Sequence, residues 1–248
     1  MNFLDKRVLI IGASSGIGLS LASKLTLEGA KVIGTYNTNI IPLVYIDACK
    51  CDLTKEDEIT ELFGYIKKEY QNIDYVINCA ALSMDKDITE KTKAEFMKVL
   101  EVNLVGTFLV CKKALSIMKN GVIINISSTN ASTTYNPISM DYDASKAGIE
   151  NLTKNLALRY PDIKICALAP NWIATDSVLE MSPIYLESEL KRINQKKLLT
   201  KEEVVNKIID ILQNKEIKSG EIIRMDDSNE KWYIWINIKR RKRINRNI

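Results

Sequence analysis

Histidine is absent from all 248 residues, so the side chain most often used to move protons near neutral pH cannot serve here. No apolar run approaches the roughly 18 residues that a membrane-spanning helix needs, and no membrane span is expected. The apolar start VLII covers four residues before a glycine-rich turn, which reads as a strand and not as a secretion signal. The five cysteines (Cys49, Cys51, Cys79, Cys111, Cys166) are odd in number and scattered, which argues against a disulfide framework and for a reducing, cytoplasmic location. Cys49 and Cys51 form a lone C-x-C with no second pair, so no metal is expected. No internal repeat is visible, and 46% hydrophobic with 27% charged residues is ordinary for a soluble domain.

The net charge of +4 divides unevenly. Residues 231–248 carry seven basic residues and no acid, leaving 28 basic against 31 acidic in the body. A slightly acidic body offers no nucleic-acid-binding face. The tail, with Trp232 and Trp235 beside the basic run, reads as a short apolar strand and a solvated end. A membrane-surface anchor, a dock for an acidic partner and a nucleic-acid contact are the other options for it.

What is present is an alternation. Strand-length apolar runs (RVLII, KVIGTY, LVYIDACKCDL, DYVINCAA, GVIINIS, IKICALAP, EIIRM) alternate with helical patterns. Helices are expected at about 17–28, from about 54, and at about 92–118, 142–159 and 201–213. Strands apolar nearly throughout are buried on both faces, so the fold class is α/β, a single-domain Rossmann-like doubly wound parallel sheet with helices on both faces. The domain spans residues 1–230. Only about seven residues, 37–43, separate the second strand from the next apolar run, and they include Pro42, so that crossover is expected to lack a full helix.

GASSGIG, Gly12 to Gly18, follows the first strand and opens the first helix. Glycines allow a tight turn and close approach to a pyrophosphate, and free N–H groups at a helix start attract anions. At YDASK, Tyr142 and Lys146 lie four residues apart, so on a helix they share a face. Tyrosine ordinarily titrates near pH ~10, too high to cycle easily, and a nearby ammonium is expected to lower that value.

These motifs together resemble the short-chain dehydrogenases/reductases. GASSGIG looks like the family's cofactor turn, CDLT at 51–54 like its adenine-contacting turn, and NCAA at 78–81 like its N-A-G motif. EVNLVGTF around Asn103, INISS ending at Ser128, YDASK, and APNWIAT at 169–175 resemble its remaining motifs, in order, over about residues 6–226. The resemblance implies hydride exchange between a nicotinamide cofactor and a ketone or secondary alcohol. Tyr142 would be the acid and base, Lys146 would tune it and hold the ribose, Ser128 would bind the substrate oxygen, and Asn103 would anchor a relay water. It implies cofactor contacts from Gly12, Ser14, Ser15, Gly16, Ile17, Gly18, Thr35, Asp52, Leu53, Asn78, Ala80, Tyr142, Lys146, Pro170, Ile173 and Thr175.

Departures from the family pattern are local. Ser128 precedes Tyr142 by 14 positions, one more than the common spacing, and the polar intervening loop should shape an individual pocket. Asn171 and Ala81 replace glycines that the family prefers. GTYNTN after the second strand has no acid to repel a 2′-phosphate, so NADP(H) is expected, although no lysine or arginine lies in the segment either.

Residues 176–198 fall where the family places a lid, with Met181, Ile184, Tyr185, Leu186 and Trp172 near an apolar substrate; a packed amphipathic helix is the other reading. The leading specific expectation is a 3-oxoacyl-[acyl-carrier-protein] reductase, with acyl carrier protein as a possible partner. The alternatives are an oxidoreductase of other alcohols, sugars or ketones, and a dinucleotide sensor without turnover. A homotetramer or homodimer is implied by the resemblance.

Overall fold

The computed structural model describes residues 3–226, so the basic tail lies outside the described residues. Seven parallel strands form one sheet in the order β3-β2-β1-β4-β5-β6-β7. They are β1 Arg7–Ile11, β2 Lys31–Tyr36, β3 Asp47–Lys50, β4 Tyr75–Asn78, β5 Gly121–Ile126, β6 Ile163–Pro170 and β7 Ile222–Met225. The chain reverses its direction of travel across the sheet between β1 and β4, the position at which open α/β sheets hold a ligand beyond the strands' carboxyl ends.

Side chains alternate across a strand, and both faces here are covered. Val8 and Ile10 of β1 pack with Leu21 and Leu25 of α1 (Gly16–Leu27) and with Val204 and Ile208 of α8 (Lys201–Gln213). Leu9 and Ile11 face the opposite layer, with Ile59 and Phe63 of α2 (Glu56–Tyr70) and Val110 and Ala114 of α4 (Gly106–Leu115). This two-sided burial is why the strands read as unbroken apolar runs. As expected, residues 37–46 between β2 and β3 contain no helix. No described helix is long and apolar enough to cross a membrane.

The expected long helix at 92–118 is not uniform. It begins with α3 (Lys93–Leu100), capped by a reciprocal Thr92–Glu95 box, widens into a π segment over Glu101–Val105, and continues as α4. A π bulge accommodates an extra residue where side-chain contacts outweigh regular i→i+4 bonding, and it often marks a functional site. Asn103 lies at its centre. α5 (Met140–Arg159) starts two residues before the expected position, and the lid region forms α6 (Asp176–Leu179) and α7 (Pro183–Arg192).

Candidate active site

A cleft of about 1060 Å³ runs along the carboxyl ends of the strands. Its first wall is the β1–α1 turn. Gly12 adopts φ 80°, and a Cβ there would lie 2.8 Å from the Ala80 backbone; a Cβ on Gly18 would fall 2.0 Å from the Gly12 carbonyl. Only glycine permits this close passage of chain over chain. Ser15 caps α1 without a side-chain hydrogen bond, so the first-turn N–H groups are left for an anion. Thr35 holds the turn by accepting from the Gly12 amide at 3.0 Å. These features fit a dinucleotide pyrophosphate.

Farther along, Asp52 and Leu53 line the end expected to take adenine. Burial raises the Asp52 carboxyl, but bonds from the Thr54 amide and hydroxyl, the Lys55 charge and the Asn37 side chain together hold it below its ordinary value. Among the described residues the loop after β2, residues 37–46, supplies neither acid nor base to this end.

At the centre, α5 presents Tyr142 and Lys146 on one face, as their spacing requires. The Lys146 ammonium sits 5.3 Å from the Tyr142 ring centroid and donates to the Ile126 carbonyl at 2.7 Å. Lys146 is buried, and that burial pulls its pKa down to about 8. Burial pushes the Tyr142 phenol up to about 12, the Ser128 hydroxyl pulls against that rise, and Asp143 and Asp85 add to it. The expectation that Lys146 lowers the Tyr142 pKa is therefore corrected. Desolvation dominates, and the ammonium is directed to the end of β5 instead of to the phenol oxygen.

Asn103 stands behind the cleft wall. Its side chain is fully buried, accepts from the Leu82 amide at 2.7 Å, and donates to the Leu82 carbonyl at 2.8 Å and the Ser145 hydroxyl at 3.1 Å. It braces the cleft wall against α5 and does not itself line the cleft. Asn78 likewise lies beneath the floor, donating to Asn125 at 2.7 Å, while Asn125 donates to Thr153 at 2.9 Å. That chain ties β4, β5 and α5 together. Every other residue expected in the site lines the cleft: the glycine turn, Thr35, Asp52, Leu53, Ala80, Ser128, Tyr142, Lys146, Pro170, Ile173 and Thr175.

Leu82, Ser83 and Asp85 line the cleft although the sequence did not single them out, whereas Asn130, Asn136 and Ser139 belong to the polar loop expected to shape the pocket. The polar composition of residues 129–139 was the available signal. Asp143 anchors that loop, accepting from Asn130 Nδ2 at 2.9 Å and from the Asn136 amide at 2.7 Å. The loop is joined to α7 by Arg192, which donates to the Thr134 carbonyl at 2.9 Å. Of the expected lid contacts, Met181 and Trp172 line the cleft, whereas Ile184 points to solvent.

The family model described as short chain dehydrogenase matches residues 6–183. The chain belongs to the short-chain dehydrogenase family. A 3-oxoacyl-[acyl-carrier-protein] reductase FabG of Thermotoga maritima is 30% identical, over 91% of this chain and 98% of that one. Carbonyl reductase family member 4 of Xenopus laevis is 30% identical over 90% of this chain and 97% of its own length. The solved structure of an aldohexose dehydrogenase from Thermoplasma acidophilum superposes with a TM-score of 0.81 at 27% identity, covering 91% of this chain and 94% of that one. Short-chain dehydrogenases use nicotinamide cofactors, and the glycine turn and helix start described above suit that group.

Proposed function

We propose that this short-chain dehydrogenase interconverts a ketone and a secondary alcohol with NADP(H), Tyr142 acting as acid and base. The observation that carries the reading is the Tyr142 phenol, beside Ser128, in the same cleft as an uncapped helix start and a glycine turn. The cofactor, when bound, supplies or accepts the hydride. Ser128 donates to the substrate oxygen, and Tyr142 gives its proton to that oxygen on reduction or takes it on oxidation. Lys146 keeps its positive charge over the Tyr142 ring at neutral pH and would hold the nicotinamide ribose. A protein that only senses dinucleotide has no need of this buried tyrosine and lysine.

NADP(H) is favoured because no carboxylate stands at the end of β2. With no cation in residues 37–46, the preference over NAD(H) is modest, about tenfold at most. The motif likeness and the Thermotoga relative favour a 3-oxoacyl thioester, delivered on acyl carrier protein. The polar substrate end favours a hydroxylated alcohol, a class to which the Thermoplasma neighbour's name also belongs. Exposed Val105, Phe108 and Leu158 on the α4 and α5 side suit a homo-oligomer, and five unpaired thiols suit the cytoplasm. Fluorescence titration with NADPH and NADH tests the cofactor reading. Binding of both, NADPH the tighter, is expected; binding of neither, or of NADH alone, contradicts it.

A further inference from the structure

The chemistry proposed above needs one hydroxyl beside Tyr142, and Ser128 supplies it. The substrate end of the cleft carries more polar groups than that. Ser139 is 3% exposed, stands at the N-cap of α5 without a side-chain cap bond, and its hydroxyl has no protein partner among the described residues. Asn171 is 8% exposed; its Oδ1 accepts from Thr129 Oγ1 at 3.1 Å, while its amide NH₂ is unpartnered among the described residues. Both residues line the cleft. Asp85 also lines it, with one carboxylate oxygen accepting from Ser83 at 2.6 Å and the other uncommitted.

Polar groups that open onto a solvent-filled cleft are ordinarily satisfied by water. A substrate that displaces the water must replace its hydrogen bonds or leave buried polar atoms unpaired. A hydrocarbon acyl chain replaces none of them. Sites built to bond substrate hydroxyls reject analogues that lack them far more strongly than apolar pockets distinguish methylenes. Charge narrows the class further. Asp85 and Glu180 line the cleft, and Lys98 and Lys146 are the lysines that do. Lys146 is bound to the Ile126 carbonyl, and Lys98 reaches the cleft from α3. Over the whole cleft, Asp52, Asp85, Asp176 and Glu180 stand against these two lysines, a balance that disfavours an anionic substrate. Leu82, Trp172 and Met181 complete the substrate end with apolar surface suited to the C–H face of a ring.

We propose that the substrate is a neutral polyhydroxylated alcohol of monosaccharide type, oxidised at a ring hydroxyl to the ketone or at the anomeric hydroxyl to the lactone, with Ser139 and Asn171 donating to its other hydroxyls and Asp85 accepting from one. This rests on the oxidoreductase reading above and names the substrate class for the same site. It sets aside the acyl-thioester expectation.

The test is steady-state kinetics of the full chain. D-glucose, D-mannose, glucose 6-phosphate and cyclohexanol are offered with NADP⁺ and with NAD⁺, and an acetoacetyl thioester is offered with NADPH and with NADH. A neutral sugar is expected to exceed cyclohexanol and the phosphate in kcat/KM by at least ~10-fold. Asp85→Asn and Ser139→Ala should each raise the sugar KM by ~10-fold or more, with a much smaller change in kcat, and should shrink the sugar-over-cyclohexanol preference correspondingly. A purely structural role would lower turnover of both substrates together. Faster turnover of the thioester or of cyclohexanol than of either sugar overturns the substrate class and keeps the oxidoreductase reading. Cofactor binding with no turnover of any substrate overturns that reading, and this inference with it.

Discussion

Tyr142 and Lys146 are displaced in opposite directions from their ordinary pKa values, the phenol up to about 12 and the ammonium down to about 8, both chiefly by burial. Near neutral pH the pair therefore rests as phenol and ammonium, the state loaded to protonate a developing alkoxide. Reduction should hold from pH 6 to about 8 and decline above it, while oxidation, which needs the tyrosinate, should rise with pH; parallel profiles in both directions would contradict this. Stability carries the same signature. Lys146 titrates lower in the folded chain than its ordinary 10.5, so between about pH 8 and 10.5 the unfolded chain binds more protons and stability rises with pH. Relative to Lys146→Met, wild type should gain up to about 3 kcal/mol across that window in denaturant melts. A pH-independent difference would contradict the burial argument. The identities of these two residues were legible because one helical turn separates them. The direction of the Tyr142 shift was not, because desolvation comes from strands and loops remote in sequence.

Contiguous motifs were the most legible elements. The β1–α1 turn could be read because close approach and positive φ require glycine at fixed positions in a run of seven residues. Gly12→Ala should weaken NADPH binding by ~10-fold or more, through left-handed strain of about 1–3 kcal/mol and collision with Ala80; unchanged affinity in a fluorescence titration would contradict that role. The π segment escaped sequence reading: Asn103 at its centre clasps Leu82 and Ser145, contacts that join three separate segments. Asp85 was missed for the same reason: its place in the site depends on the loop after β4 meeting the start of α5. Lys91 and Asp141 fasten that meeting with a 2.7 Å ion pair whose side chains are 8% and 0% exposed, and Lys91 also donates to the Met84 carbonyl. Lys91→Met strands a buried carboxylate and should cost ~3–5 kcal/mol in thermal or denaturant unfolding, much of it recovered by adding Asp141→Leu. A single variant as stable as wild type would show that the pair is dispensable.

At the scale of the whole molecule, one twisted parallel sheet brings residues from the first turn, the β4 loop, α5 and the lid segment to a common cleft. Burial on both faces made that sheet legible from strand composition alone. Assembly is written less plainly: Phe108 and Val105 are each 44% exposed and Leu158 is 84% exposed, apolar surface that a lone subunit leaves in water. Light scattering should find a dimer or tetramer that Phe108→Asp with Leu158→Asp reduces to smaller species; a wild-type monomer would contradict this. The account rests above all on proton transfer by Tyr142. Nicotinamide absorbance should therefore be followed during turnover by wild type and by Tyr142→Phe, with NADPH binding to each checked by fluorescence. The account predicts NADPH affinity within about threefold and a loss of ~10²–10⁴-fold in kcat. A Tyr142→Phe enzyme that turns over at close to the wild-type rate would contradict it.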